Sequence, residues 1–224
     1  LPDENIGEVK NKGFEIVLTH RKSFADFSYN ISGNISYAKN KIIFMDETPN
    51  VEEYQNQTGH PVGAGLYYQA DGIFNTQEEL DSYPHHKSSQ VGDPKIIDLN
   101  DDGVIDSNDR FRFDYTSTPT TVFGINIGLM YKGFDLSALI QGQTGAYNYD
   151  GDFVTLGKSD LSNTFVARAK DRWTVDNPDG TMPRADCYQP GSSTIFLYDA
   201  TFVRLKTVEL GYTLPKSFTQ KIKL

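Results

Sequence analysis

The chain has 224 residues, 30 of them acidic and 21 basic, and a formal net charge of −9. That balance speaks against a nucleic-acid partner. No apolar run approaches the ~20 residues of a spanning helix, and the single cysteine, Cys187, excludes an internal disulfide framework.

Aromatic residues at 12% together with 19 glycines favour strands and turns. The chain begins at Leu1 with neither Met nor a charged-then-apolar leader, and is expected to be a piece of a longer protein. Residues 1–11 read as polar and turn-like. From Gly13 to His20 the pattern alternates, with Phe14, Ile16 and Leu18 in one phase, and predicts a strand. A short polar turn follows around 21–25.

The clearest alternation comes next. Phe27, Tyr29, Ile31, Gly33, Ile35 and Tyr37 interleave with Ser28, Asn30, Ser32, Asn34, Ser36 and Ala38. A strand with this period has one apolar and one polar face. In a soluble sandwich the apolar face goes to the core. In a transmembrane barrel it goes to lipid and the polar face lines the lumen. Alternation alone does not choose between them.

Residues 46–120 are irregular and rich in Pro and Gly. Thr76 to Leu80 predicts a short helix, with Thr76 as N-cap and Glu79 closing a capping box. His85-His86 is at most half a metal site. The stretch from Asp98 to Asp109 has the spacing of a calcium loop. Asp98, Asn100, Asp102, Asp106 and Asp109 place side-chain oxygens at loop positions one, three, five, nine and twelve. Gly103 stands at the sharp turn, Val104 offers a backbone carbonyl and Ile105 an apolar anchor. Asp replaces the usual Glu at position twelve, which shortens the arm for bidentate ligation. The bland alternative is a solvated acidic turn. Pro94 before the loop and Pro119 beyond it, with no 3.6 period on either side, argue against the helix pair of a calcium sensor. A structural Ca2+ that stiffens the loop is the expectation.

Alternation returns at Thr121–Tyr131 and again from Phe134 to Gln141, joined by Lys132-Gly133. This predicts a β-hairpin with Gly133 at positive φ. Tyr131 and Phe134 bracket the turn as interface aromatics do at barrel ends. Residues 143–198 form a second long irregular stretch. Within it Phe165, Ala169 and Trp173 suggest a helix from Leu161 to Trp173, and Asp176 to Gly180 a turn cluster. Residues 199–213 predict another strand. Val203 and Leu205 are in one phase and Val208, Leu210 and Tyr212 in the other, so a bulge is expected near Lys206-Thr207. Leu214-Pro215 ends that strand, and Lys221 to Leu224 resembles the start of a further one.

The connections run short (21–25), long (46–120), short (132–133), long (143–198) and short (215–220). An up-and-down barrel gives this order, with tight periplasmic turns and long extracellular loops. A sandwich has no reason to keep it. Eleven residues at roughly 3.3 Å each, tilted by about 40°, cover about 28 Å, close to the ~25 Å apolar band of such barrels.

Several motifs then carry a resemblance: Asn11-Lys12-Gly13-Phe14-Glu15, Tyr68 to Phe74, Gly92-Asp93 leading to Asp98–Arg110, Tyr131 to Ser137, Arg172-Trp173-Thr174, Phe202 to Lys206, and Leu210 to Pro215. With these the chain resembles the C-terminal part of the SusC/RagA family of TonB-linked outer-membrane transporters of Bacteroidetes-type bacteria. The resemblance implies an all-β fold: antiparallel up-and-down strands of a partial transmembrane barrel, surrounded by outer-membrane lipid, with long extracellular loops carrying short helices. Residues 1–224 would be a barrel portion without the plug, 46–120 a long extracellular loop holding the 98–109 calcium-type loop, and 143–198 a second such loop. The implied function is TonB-driven import of a large nutrient, often a glycan, in the cell outer membrane. The implied partners are a SusD-like surface lipoprotein and TonB, the latter through residues outside this chain.

The other readings are a soluble calcium-stabilised β-sandwich, acting as an adhesion or carbohydrate-binding module, and an enzyme. The sequence carries no nucleophile elbow, zinc motif or phosphate loop, so no enzyme is expected. Tyr67, Tyr68, Tyr83 and Trp173 could stack on sugar rings, although Trp173 at helical spacing is better read as packing its own helix.

Overall fold

A computed structural model describes residues 6–150, 169–188 and 191–215. In chain order the elements are β1 (Glu8–Ser23), β2 (Phe27–Phe44), β3 (Leu66–Tyr68), β4 (Ala70–Ile73), α1 (Gln77–Ser82), β5 (Pro94–Ile96), β6 (Arg110–Arg112), β7 (Thr121–Tyr131), β8 (Phe134–Thr144), β9 (Tyr147–Tyr149), β10 (Leu197–Asp199) and β11 (Phe202–Tyr212). The chain divides into two compact units. One comprises Leu1–Lys10, Asn40–Thr116 and Tyr147–Asp199, and the other Asn11–Lys39, Ser117–Ala146 and Ala200–Leu224.

The second unit is built on an antiparallel sheet in the order β1-β2-β7-β8-β11. Chain neighbours sit side by side, the up-and-down order that the connection lengths predict. The sheet is open, with β1 and β11 at its edges. Register is continuous from β2 through β7 to β8, and β11 joins it with a single shift. Ile31 faces Ile127, which faces Ala138, which faces Val208. Two residues away Tyr29, Leu129, Leu136 and Leu210 form the next row, and Phe27, Tyr131, Phe134 and Tyr212 a belt of rings at the turn end. The alternate rows are polar: Asn30, Gly128, Ser137 and Glu209, then Asn34, Gly124, Gln141 and Arg204. Successive side chains point to opposite faces, so the sheet has one apolar and one polar side.

The expected bulge is where the phase slip puts it. Register shifts between Leu205 and Thr207, with Leu205 opposite Ile140 and Thr207 opposite Leu139. The extra residue brings Val203 and Leu205 onto the same face as Val208 and Leu210. The β7–β8 turn has Lys132 at φ 46° and Gly133 at φ 87°, so both central residues are left-handed, as a type I′ turn requires.

The apolar side is largely open. Leu18 is 72% and Leu210 76% exposed, and Ile31, Ile125, Phe134, Val203, Leu205 and Val208 are exposed too. A soluble sandwich would bury these rows under a second layer of long strands, and none is present among the described residues. The other sheets, β3–β6, β4–β5 and β9–β10, have two short strands each.

Two expectations need correction. β1 begins at Glu8, within the stretch read as turn-like, and runs to Ser23. β2 continues to Phe44, well past the last alternating residue. Ladder pairing satisfies backbone N–H and C=O groups whatever the side chains are, so polar runs such as Lys39-Asn40-Lys41 extend a strand without any periodic signal. The predicted Leu161–Trp173 helix lies mostly outside the described residues, as do Lys221–Leu224.

The first unit holds α1, the short strands and two small cores. Tyr68, Ile96 and Ile105 pack together with Ala70 at their margin. Met182, Cys187 and Phe196 form the second, flanked by Tyr149 and Ile195. The cap of α1 is partly as expected. Thr76 Oγ1 accepts from Glu79 N at 3.1 Å. The Glu79 carboxylate, however, reaches Asn75 N at 2.9 Å and Lys95 Nζ at 2.7 Å instead of the Thr76 N–H, so the reciprocal half of the box is not formed. A lysine brought from β5 competes for that carboxylate, which local sequence does not reveal.

Candidate functional site

β5 delivers the chain to Asp98 and β6 takes it up at Arg110, so strands flank the acidic loop on both sides. Among the described residues no EF-hand helix pair flanks it. Inside the loop the carboxylates organise the backbone. Asp98 Oδ2 accepts from Gly103 N at 2.7 Å, and Asp98 Oδ1 from Asp102 N at 3.3 Å. Asn100 Oδ1 also accepts from Asp102 N, and its amide donates to Asp102 Oδ2 at 2.9 Å. Asp102 Oδ1 accepts from Val104 N at 2.8 Å. Gly103 has φ 82° and Asp101 φ 57°, so the sharp turn falls where a glycine is needed. Ile105 is 3% exposed and is anchored in the Tyr68–Ile96 core, whereas Val104 points to solvent.

The loop ends in a 3-10 turn, Ser107–Asp109, closed by a capping box between Asp106 and Asp109. Asp106 Oδ1 accepts from Asn108 N at 2.7 Å. The Asp109 carboxylate accepts from Leu99 N at 2.9 Å and Asp106 N at 2.7 Å, tying the two ends of the loop together. Asp109 is fully buried. Burial pushes its pKa up, the two backbone N–H groups oppose that, and the charges of Asp98 and Asp106 raise it further.

Among the described residues no three His, Cys, Asp or Glu side chains converge tightly enough to hold a metal ion. The loop therefore fits a hard cation by residue type and spacing, while its oxygens are turned onto backbone N–H groups. A carboxylate oxygen that accepts one N–H keeps a second lone pair, so these turns and cation ligation do not exclude each other. Convergence on an ion would need a closing movement of the side chains. His85 and His86 are engaged elsewhere. His85 Nδ1 lies 2.8 Å from Tyr83 O, and His86 stacks on Tyr188 with ring centroids 4.6 Å apart.

A clamp on this loop was not legible in the sequence. Tyr54 OH donates to Asn108 O at 2.6 Å. Gln55 Nε2 donates to Ser107 O at 2.8 Å and to Asn108 O at 3.1 Å. Arg112, just after the loop, returns the contact through Nε to Gln55 O at 2.8 Å and Nη1 to Ala64 O at 2.7 Å. Residues 53–64 have no periodicity, so nothing local marks them.

A second fixed point joins the two long stretches. Asp93 is fully buried. Its Oδ1 accepts from Arg184 Nε at 2.7 Å and Tyr188 N at 3.1 Å, and its Oδ2 from Gln90 N at 2.8 Å. Burial raises the Asp93 pKa against the pull of Arg184. Gly92, at φ 91°, lies under the Trp173 ring, where a Cβ would overlap it. Trp173 Nε1 donates to Asn75 Oδ1 at 3.0 Å. Gly92-Asp93 and Arg172-Trp173-Thr174, motifs far apart in the chain, thus meet.

Half-buried rings run through this unit: Tyr54 on Phe111, Phe111 on Phe113, Phe113 on Tyr115 and Tyr115 on Tyr147, the last pair 4.2 Å apart. Of the aromatics considered for sugar stacking, Tyr68 is buried and unavailable. Tyr83 lies under the Lys95 ammonium, and Tyr67 is half-buried beside Phe113 and Tyr149.

No family model matches the chain. TonB-dependent receptor P3 of Formosa agariphila is 28% identical over 240 residues, covering 99% of this chain and 23% of the receptor. TonB-dependent receptor P26 of the same organism is 29% identical over 230 residues, covering 95% of this chain and 23% of the receptor. This chain is similar to these TonB-dependent receptors over nearly its whole length. It spans about a quarter of their length. In fold it is similar to the RagAB peptide transporter, with a TM-score of 0.68 and 21% identity over 97% of this chain and 24% of that one. The RagAB peptide importer in its open-open state gives 0.66 and 21%, covering 96% of this chain and 23% of that one. These likenesses agree with the resemblance drawn from the sequence motifs and with the antiparallel up-and-down sheet. The relatives are named as receptors and not as enzymes.

Proposed function

We propose that this chain is part of the wall and outer loops of an outer-membrane, TonB-dependent importer of a large nutrient, a glycan. The observation that carries this reading is the sheet's two-sidedness. Its apolar rows are exposed and end in a belt of aromatic rings at the tight turns, while its other side carries Ser, Asn and Gln. Exposed apolar rows of this extent are unfavourable in water and favourable against lipid. The polar side would line the lumen, and the long-loop unit would lie outside the cell. The open edges at β1 and β11 would pair with further strands of the longer protein.

The glycan assignment is supported by the half-buried ladder of rings, since flat aromatic faces suit the apolar faces of sugar rings. A SusD-like surface lipoprotein would meet the outer loops, and TonB would act through the rest of the protein. The 98–109 loop would bind a structural Ca2+ through Asp98, Asn100, Asp102, the Val104 carbonyl, Asp106 and Asp109. The ion would relieve repulsion among the carboxylates and hold the loop under its clamp.

Two measurements test this. Deleting the gene should abolish uptake of fluorescently labelled oligosaccharides and leave oligopeptide uptake intact; the opposite pattern would replace the glycan by a peptide. Calorimetry on the full-length receptor should show saturable Ca2+ binding not matched by Mg2+. The Asp98→Ala, Asp102→Ala double variant should lose it, and unchanged affinity in that variant would refute the site.

A further inference from the structure

We propose that a cleft in the long-loop unit is a binding subsite for one neutral, hexose-sized sugar unit. This rests on the glycan reading above and names where such a ligand would be held. The cleft has a volume of about 420 Å³ and is shaped by the β4 segment, the turn before Met182 and the Thr194–Ile195 turn. Its size falls in the range of small-molecule sites, ~300–1,000 Å³. Ile73, Pro178 and Ile195 give it an apolar floor, and Asn75, Asp179 and Thr194 supply the polar groups.

These groups differ in what they offer. The Asn75 carbonyl is occupied by Trp173 Nε1 at 3.0 Å, and Trp173 is itself seated on Gly92. The Asn75 side chain is thereby held in place, and its NH₂ group has no hydrogen-bond partner among the described residues. It remains a donor. Thr194 Oγ1 accepts from Ala70 N at 3.0 Å, so its own proton is free to donate. No hydrogen bond or ion pair engages the Asp179 carboxylate among the described residues, leaving a strong acceptor. Gly72, at φ 103°, has open space where a side chain would stand.

Among the described residues no Lys or Arg lines the cleft, and Asp179 brings negative charge. An anionic ligand, such as a sulfated or uronic-acid sugar, is therefore disfavoured. A neutral sugar matches the pattern. Each of its hydroxyls can donate to Asp179 or accept from Asn75 and Thr194, and its C–H face can lie on the apolar floor.

The test uses the full-length receptor in detergent on an array of neutral and anionic oligosaccharides, with a parallel array of oligopeptides. Wild type should bind a subset of neutral oligosaccharides. Asp179→Ala, an exposed side chain whose loss leaves no buried group unpaired, should weaken that binding about tenfold or more, as expected for a hydrogen bond to a charged group. Asn75→Ala should weaken it by a similar factor. Neutral-sugar binding that is unchanged in both variants would overturn the subsite and leave the glycan reading standing. Binding of anionic sugars alone would also overturn the subsite. Binding of peptides and no sugars would overturn both.

Discussion

The sheet and the long-loop unit hold their shape in opposite ways. In the sheet, β2, β7, β8 and β11 meet through long ladders with one bulge, in β11, and the side chains sort into rows by parity on either side of it. Its apolar groups face outward and its stability depends on what surrounds it. The long-loop unit keeps two small cores inside and is tied together by single polar contacts between distant residues, such as Asp93 with Arg184 and Gln55 with Ser107. A two-residue period can encode the first kind of structure. The second is a set of individual placements with no period.

The contrast can be broken first at its most concentrated point. Arg184→Ala should cost about 3 kcal/mol, the low end for a broken buried pair because Arg184 partly reaches water while Asp93 does not. Proteolysis of the purified receptor should then nick the long-loop unit and spare the sheet. An equal loss of protection in the sheet would show that the two regions are not distinct in this sense.

The sheet's counterpart uses neighbours of opposite parity. Ile127→Arg places a charge on the apolar side and should cost roughly 2–4 kcal/mol in lipid, lowering the level of folded receptor in the membrane. Asn126→Arg, one residue earlier on the polar side, should be tolerated. Equal effects of the two would remove the assignment of faces.

A smaller effect concerns Glu79 and Lys95. The hydrogen bond from Lys95 lowers the Glu79 pKa, and the same contact raises that of Lys95. A depressed carboxylate stabilises above its ordinary value of 4.5 and loses that contribution as pH falls through its lowered folded value. A raised lysine stabilises below 10.5 and loses its contribution as pH rises through the folded value. The pair should thus contribute fully between those limits. Glu79→Gln should remove about 0.5–1 kcal/mol there, given the partial exposure of both groups. Denaturant titration at neutral pH and at pH 3 should show the difference between wild type and variant shrinking at the lower pH.

The same contrast explains what was legible. The β7–β8 hairpin, the face of β2, the bulge before Thr207 and the short-long order of connections follow from alternation and glycine placement, both local. In the acidic loop, Gly103 at positive φ and Ile105 as anchor follow from the spacing of the motif. The ends of β1 and β2 were missed because backbone pairing continues through polar residues. The clamp by Tyr54 and Gln55 was missed because it recognises backbone carbonyls of Ser107 and Asn108, which carry no side-chain signature. Glu79 was assigned to its own helix cap because Lys95 lies 16 residues away in the chain. Gly92-Asp93 and Trp173 stood out as motifs, and only the fold shows that they are one contact.

In the proposed importer the sheet would lie in the outer membrane and the long-loop unit outside the cell. Single cysteines test it most directly in intact cells, since the native Cys187 is buried. Asp101→Cys in the acidic loop and Lys132→Cys in the tight turn would each be exposed to a membrane-impermeant maleimide. The account predicts labelling of Asp101→Cys from outside, and of Lys132→Cys only after the outer membrane is permeabilised. Labelling of Lys132→Cys in intact cells, or protection of Asp101→Cys there, would contradict it.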